Sequence, residues 1–222
     1  MEQGILGLAA FTTLMGVIST LLALPAGIAA AWLLARRSFS GKPVVETLLS
    51  LPLVLPPVAT GFLLLQLFGL NSVVGRAFDR LGIEVVFTWK AVVLAMAVMS
   101  FPLMVLTIRA GFEQVDTRYE RVAATLGASP WRVFATITLP LATRSIVAAA
   151  ILGFARALGE FGATIVVAGG IPGQTQTLAV AIFNLAESGR DADASRLLLV
   201  SIALAFGAML LANLIQRRKP AA

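Results

Sequence analysis

Along this chain, long runs of apolar residues alternate with short clusters of charge, and the runs set the architecture. A helix needs about 20 apolar residues to cross the hydrocarbon core of a bilayer. Five segments approach or exceed that length: residues 6–35, 47–70, 90–109, 143–168 and 197–215. The first carries no charge between Glu2 and Arg36. It is too long for a secretory signal peptide, and Met1-Glu2-Gln3 is acidic where such a leader is basic. The second contains Pro52, Pro56 and Pro57, which predicts a bent or broken helix. Pro102 lies inside the third, and Gly169-Gly170-Ile171-Pro172-Gly173 stops the fourth. The pattern predicts an all-α, polytopic membrane helix bundle of about five transmembrane helices, forming one domain over residues 1–222.

Composition strengthens this picture and excludes most chemistry. Of the 222 residues 59% are hydrophobic and 13% charged, against roughly 25% charged in an ordinary soluble domain. A soluble fold of this size could not hide so much apolar surface, so lipid is its solvent. There is no Cys and no His, which removes disulfides, thiolate nucleophiles, the commonest metal ligand and the commonest acid–base group. No catalytic, cofactor-binding or metal-ligating set remains. The net charge of +6 does not point to nucleic acid, because the basic residues flank apolar runs and never form a stripe.

Their placement predicts orientation instead. One side of the membrane receives Arg36, Arg37, Lys42, Arg109, Arg118, Arg121, Arg132, Arg144, Arg217, Arg218 and Lys219; the other receives Arg76, Arg80, Lys90, Arg190 and Arg196. The richer side is cytoplasmic by the positive-inside rule, which puts the N-terminus outside and the C-terminus inside.

The largest connection on the cytoplasmic side, residues 110–142, reads as two short helices. Tyr119 to Leu126 is helical in composition and is closed by Gly127. Ser129 caps a second helix that opens with Pro130 and ends at Pro140. Trp131, Phe134, Ile137 and Leu141 recur at helical spacing. Periodicity alone fits a helix–turn–helix protrusion and an amphipathic loop lying on lipid equally well.

Two charges, Arg156 and Glu160, fall well inside the fourth span. Ionisable residues there are functional candidates because an unpaired charge in lipid is costly. At i and i+4 they can also neutralise each other as a structural pair. The candidate pathway or gate residues are Arg156, Glu160 and Thr164. The prolines of the second span admit two readings, ordinary kinks or broken helices that expose carbonyls to a pathway. Ala29-Ala30-Ala31 and Ala148-Ala149-Ala150 permit close helix packing.

The segment Glu120-Arg121-Val122-Ala123-Ala124-Thr125-Leu126-Gly127-Ala128-Ser129, with Ile137-Thr138-Leu139-Pro140 after it, resembles the EAA loop of ABC-importer permeases. That pattern is Glu-Ala-Ala, three residues, Gly, nine residues, then Ile-x-Leu-Pro. Gly127 and the Ile137 to Pro140 ending match in spacing; Arg121 takes the Glu position, Val122 and Ala123 the two Ala positions, and Glu120 lies one residue early. Further stretches resemble the molybdate permease group: residues 36–42, Leu51 to Pro57, Ala157 to Thr164, and Ile171-Pro172-Gly173-Gln174-Thr175-Gln176-Thr177. The resemblance implies a homodimer in the cell inner membrane that translocates molybdate. It further implies a cytoplasmic ABC ATPase that docks at Glu120, Arg121, Ala123, Gly127 and Ala128, and an external molybdate-binding protein. ATP hydrolysis falls to the separate subunit, since Gly41-Lys42 is followed by Pro43 and no phosphate-cradling loop exists. The alternatives are a sulfate or thiosulfate permease of the same fold and, from another class, a stand-alone secondary transporter; a membrane enzyme is more distant.

Overall fold

The computed structural model describes residues 4–217. The expected acidic start at Met1-Glu2-Gln3, the basic Arg218 and Lys219, and the side chain of Arg217 lie outside the described residues. Helix α1 is Ile5–Arg36, α2 is Lys42–Val54, α3 is Pro57–Phe68 and α4 is Val73–Arg80. Then come α5, Trp89–Gln114, and α6, Thr117–Thr125. Helix α7 is Pro130–Leu158 and α8 is Gly162–Ala168, followed by α9, Leu178–Glu187, and α10, Asp191–Arg217. No strand occurs among the described residues. Helices α1, α5, α7 and α10 are long and apolar enough to span a membrane, and α2 with α3 makes a fifth, bent candidate.

Helix α5 is the centre of the bundle. Its apolar stretch is 61% buried against 11% for α10, so α10 is the peripheral helix. Ala91, Val92, Ala95, Met96 and Met99 of α5 meet Met15 of α1, Leu64 of α3, Ala157 of α7, and Ala163 and Val167 of α8. Toward one end, Val105, Ile108 and Phe112 pack on Ala31, Leu34, Ala142 and Ile146. Small residues set the spacing: a Cβ on Gly111 of α5 would overlap the Ser145 side chain of α7. Close approach of this kind is what holds apolar helices together where lipid offers no hydrophobic drive.

The broken second span follows from its prolines. Leu55 N–H donates to Leu51 O, 2.9 Å, and α2 ends there. Pro56 and Pro57 have no N–H to continue the ladder, and α3 departs at 112°. Pro52 stays inside α2.

The long helix around Pro140 behaves differently from expectation. A helix starting at Pro130 does not end at Pro140; it continues to Leu158. The residues Phe134–Thr138 form a π-helical turn, in which Leu139 N–H donates to Phe134 O five residues back. The wider turn shifts the hydrogen-bond register just before Pro140, so its missing N–H and its ring are accommodated. The fourth apolar run, expected to be unbroken over 143–168, is instead interrupted between Leu158 and Gly162. Helix α10 starts at Asp191, ahead of its apolar run, with Asp191 and Asp193 in its first turn.

Candidate functional site

Two regions hold the residues singled out by the sequence, at the α6 end of the bundle and at the helix breaks.

At the α6 end, Asp116 Oδ1 accepts Arg118 N–H, 2.8 Å, and starts α6. Gly127 ends it in the left-handed region at φ 84. Gly127 N–H donates to Ala124 O, 3.0 Å, and Ala128 N–H to Ala123 O, 3.1 Å, closing the last turn. Ser129 Oγ then accepts Arg132 N–H, 3.4 Å, to cap α7, with Pro130 in its first turn. No residue of α6 is buried. Tyr119, Val122 and Leu126 recur at helical spacing and stand 60%, 59% and 82% exposed, and Trp131 in the first turn of α7 is 74% exposed. Of the residues proposed to couple, Arg121 and Gly127 are exposed, Ala123 and Ala128 half-buried. Glu120 turns inward: its Oε1 accepts Arg36 Nε at 3.0 Å, Arg36 Nη2 at 2.8 Å and Thr138 Oγ1 at 2.7 Å. The exposed stripe of Tyr119, Val122 and Leu126 was not singled out from the sequence, although its i, i+3, i+7 spacing was visible there.

The second region is where both breaks meet. A Cβ on Gly61 of α3 would lie 2.7 Å from Ala163 Cα, and one on Gly162 would lie 2.7 Å from Pro57 Cβ. Helices α3 and α8 therefore start side by side. Glu160, 1% exposed, occupies the break between α7 and α8. Its Oε2 pairs with Arg156 Nη1 at 2.9 Å, and its Oε1 accepts Ala163 N–H at 2.9 Å. The two side chains thus meet across the end of α7 and not along one continuous helix face. The carboxylate caps the first turn of α8, where the helix dipole favours negative charge. Thr164 is fully buried one turn on, and neither its hydroxyl nor that of Thr60 in α3 has a hydrogen-bond partner.

The segment Ile171 to Thr177 has a structural role. Thr175 Oγ1 accepts Ile171 N–H at 2.8 Å and donates to Ala168 O at 2.7 Å. Thr177 Oγ1 accepts Val180 N–H, 3.4 Å, to cap α9, and Thr12 Oγ1 of α1 accepts Leu178 N–H at 2.9 Å. Both threonines are buried, so the loop is pinned to the end of the bundle opposite α6.

Comparison with known proteins adds to this geometry. A family model described as binding-protein-dependent transport system inner membrane component matches residues 23–219. The chain belongs to that family. It is 48% identical over 202 residues to the molybdenum transport system permease protein ModB of Escherichia coli (strain K12), covering 90% of this chain and 88% of that protein. It is 45% identical over 206 residues to the protein of the same name from Haemophilus influenzae, covering 92% and 90%. Among solved structures, a bacterial alginate ABC transporter in complex with an alginate pentasaccharide-bound periplasmic protein superposes with a TM-score of 0.69, at 19% identity over 94% of this chain and 77% of that one. That likeness speaks for the permease fold. The matched span takes in α6, both breaks and the pinned loop, so every candidate residue falls within the family region.

Proposed function

We propose that this permease is the membrane subunit of an ATP-driven molybdate importer, working as a pair of identical subunits. The observation that carries the coupling part is α6: a sharply stopped helix with an exposed apolar stripe, on a chain whose single Gly-Lys pair, Gly41-Lys42, is followed by Pro43 and makes no phosphate-cradling loop. Contiguous exposed apolar surface marks an interaction site. The ATPase docks on Tyr119, Val122, Leu126 and Trp131, with Arg121, Gly127 and Ala128 shaping the edge. The molybdate assignment rests on the likeness to the molybdenum permeases across nearly the whole chain. An external molybdate-binding protein delivers the cargo, and the α6 end faces the cytoplasm with the N-terminus outside.

The path runs beside the two breaks. Leu53, Val54 and Val58, which bracket Pro56 and Pro57, are 45%, 80% and 54% exposed. The carbonyls of Pro52 and Leu53 face two residues that have no N–H to offer them. Irregular backbone at membrane depth is tolerated against protein or water, not lipid. A second copy enclosing a water-filled path supplies both. Arg156, 29% exposed at its side chain, offers a cation to the passing dianion, and Glu160 beside it keeps that attraction weak enough for release. Thr164, whose buried hydroxyl has no hydrogen-bond partner, lies beside the same break.

Reconstituted vesicles containing the permease, its ATPase and the binding protein test the reading. ATP-dependent uptake of molybdate that sulfate does not match supports it; equal uptake of both assigns a general oxyanion importer. Cysteine labelling tests the orientation, because the chain has no Cys of its own. A cysteine at Ser188 reacts with an impermeant reagent from outside and one at Ser129 does not; the reverse pattern would overturn the coupling role.

A further inference from the structure

We infer that Glu120 is a positioning residue that clasps α6 to the bundle through Arg36 and Thr138, and is not itself a contact to the ATPase. The inference rests on the reading that the ATPase meets α6, and adds how a movement there reaches the spans.

Helix α6 is nine residues long and buries none of them, so apolar packing does not fix its angle. What fixes it is polar. One oxygen of Glu120 accepts three hydrogen bonds, two from Arg36 and one from Thr138. Arg36 is the last residue of α1, 84 positions earlier in the chain, and its Nη2 also reaches Val115 O just past α5, 3.1 Å. Thr138 is the last residue of the π-helical turn in α7 and is 1% exposed. The two charged side chains are 13% and 19% exposed, so water screens them little and the pair is directional. Two elements, α1 and the α7 π-turn, thus converge on one carboxylate, and Arg36 ties the α5 end to the same clasp through Val115 O.

The turn it grips is the irregular part of α7. Single π-helical turns inside α-helices occur frequently at functional sites. Phe134, which opens it, sits in an aromatic cluster with ring centroids 5.6 Å from Trp32, 6.2 Å from Phe112 and 5.5 Å from Trp131. A pull on α6 is therefore delivered to the last turn of α1 and to the π-helical turn of α7 together. The exposed stripe of α6 does the docking; Glu120 transmits. Its charge is already matched within the chain, which distinguishes it from Arg121 on the outer face.

The test uses the complete complex of permease, ATPase and molybdate-loaded binding protein in vesicles. Four variants are compared with the native chain: Glu120→Gln, Arg36→Gln, the charge reversal Arg36→Glu with Glu120→Arg, and Leu126→Ser on the exposed stripe. Both single clasp variants are expected to retain the ATPase on co-purification. Their stimulation of ATP hydrolysis by the loaded binding protein should fall at least about five-fold, the lower end of typical coupling between sites. The reversal should regain part of that stimulation, since it restores the ion pair but neither the donation to Val115 O nor the acceptance from Thr138. Thr138→Val, which removes a single donor, gives a smaller loss in the same direction and serves if a charge variant fails to accumulate. Native stimulation in Glu120→Gln and Arg36→Gln overturns the clasp. So does loss of ATPase association in Glu120→Gln but not in Arg36→Gln, which makes Glu120 a direct contact. Leu126→Ser reports on the docking reading separately: undiminished ATPase association there removes that reading, whatever the clasp variants do.

Discussion

Two glutamate–arginine pairs hold this permease at its two critical places, and they are built in opposite ways. Glu160 and Arg156 are four residues apart, with the carboxylate buried in the break between α7 and α8 and the guanidinium partly open. Glu120 and Arg36 are 84 residues apart, at the α6 end, and both are similarly shielded. The first pair stabilises a discontinuity inside one span. The second joins α6, which buries none of its residues, to the end of α1 and the π-helical turn of α7. Burial makes the first matter for folding; on the reading proposed above, connectivity makes the second matter for coupling.

The largest expected effect breaks the buried pair. Arg156→Gln leaves the Glu160 carboxylate buried and unpaired, a loss on the order of 3–5 kcal/mol. Glu160→Gln is milder, because its side-chain oxygen still accepts Ala163 N–H and the abandoned Arg156 can reach water. The double variant recovers much of the loss, since neither charge is left alone. Thermal unfolding of the purified permease measures all three; equal losses from the two single variants would contradict the asymmetry.

A smaller effect is expected at the clasp. Arg36→Gln removes hydrogen bonds to a charged acceptor, worth roughly 1.5–3 kcal/mol, yet no fully buried charge is stranded. Its thermal shift is smaller than that of Arg156→Gln while its effect on stimulated hydrolysis is larger. The opposite ranking would erase the distinction between the two pairs.

Smaller still is Gly127→Val. At φ 84 a β-branched residue is strained, at a cost of roughly 1–2 kcal/mol for the left-handed conformation. No heavy atom lies within 4 Å of the added Cβ, so the effect stays local to the end of α6. ATPase association weakens and membrane insertion survives; unchanged association would count against the cap.

The same contrast explains what the sequence disclosed. Arg156 and Glu160 were legible as a pair because their spacing is local and their setting apolar. That Glu160 caps a new helix was hidden, because Gly159-Glu160-Phe161 interrupts an apolar run without a proline to announce it. Pro56 and Pro57 did announce their break. Pro140 announced one that the π-helical turn before it removes. Gly127 and Ser129 marked the loop after α6 by local capping chemistry. The partner of Glu120 could not be read at all: Arg36 was visible as a charge at the end of a span and as the start of a resembling stretch, and its contact exists only once α1, α5 and α7 are packed. Thr175 and Thr177 stood out as part of a resemblance, while their hydroxyls satisfy backbone groups of the loop.

The central claim is that α6 is where an ATPase meets the permease, and cross-linking on the assembled complex tests it most directly. Single cysteines at Val122 and Leu126, introduced into a chain that has none, should each form a cross-link to the ATPase subunit. A cysteine at Leu199, 68% exposed on the peripheral α10, should not. Cross-links at Leu199 with none at Val122 or Leu126 would contradict the account.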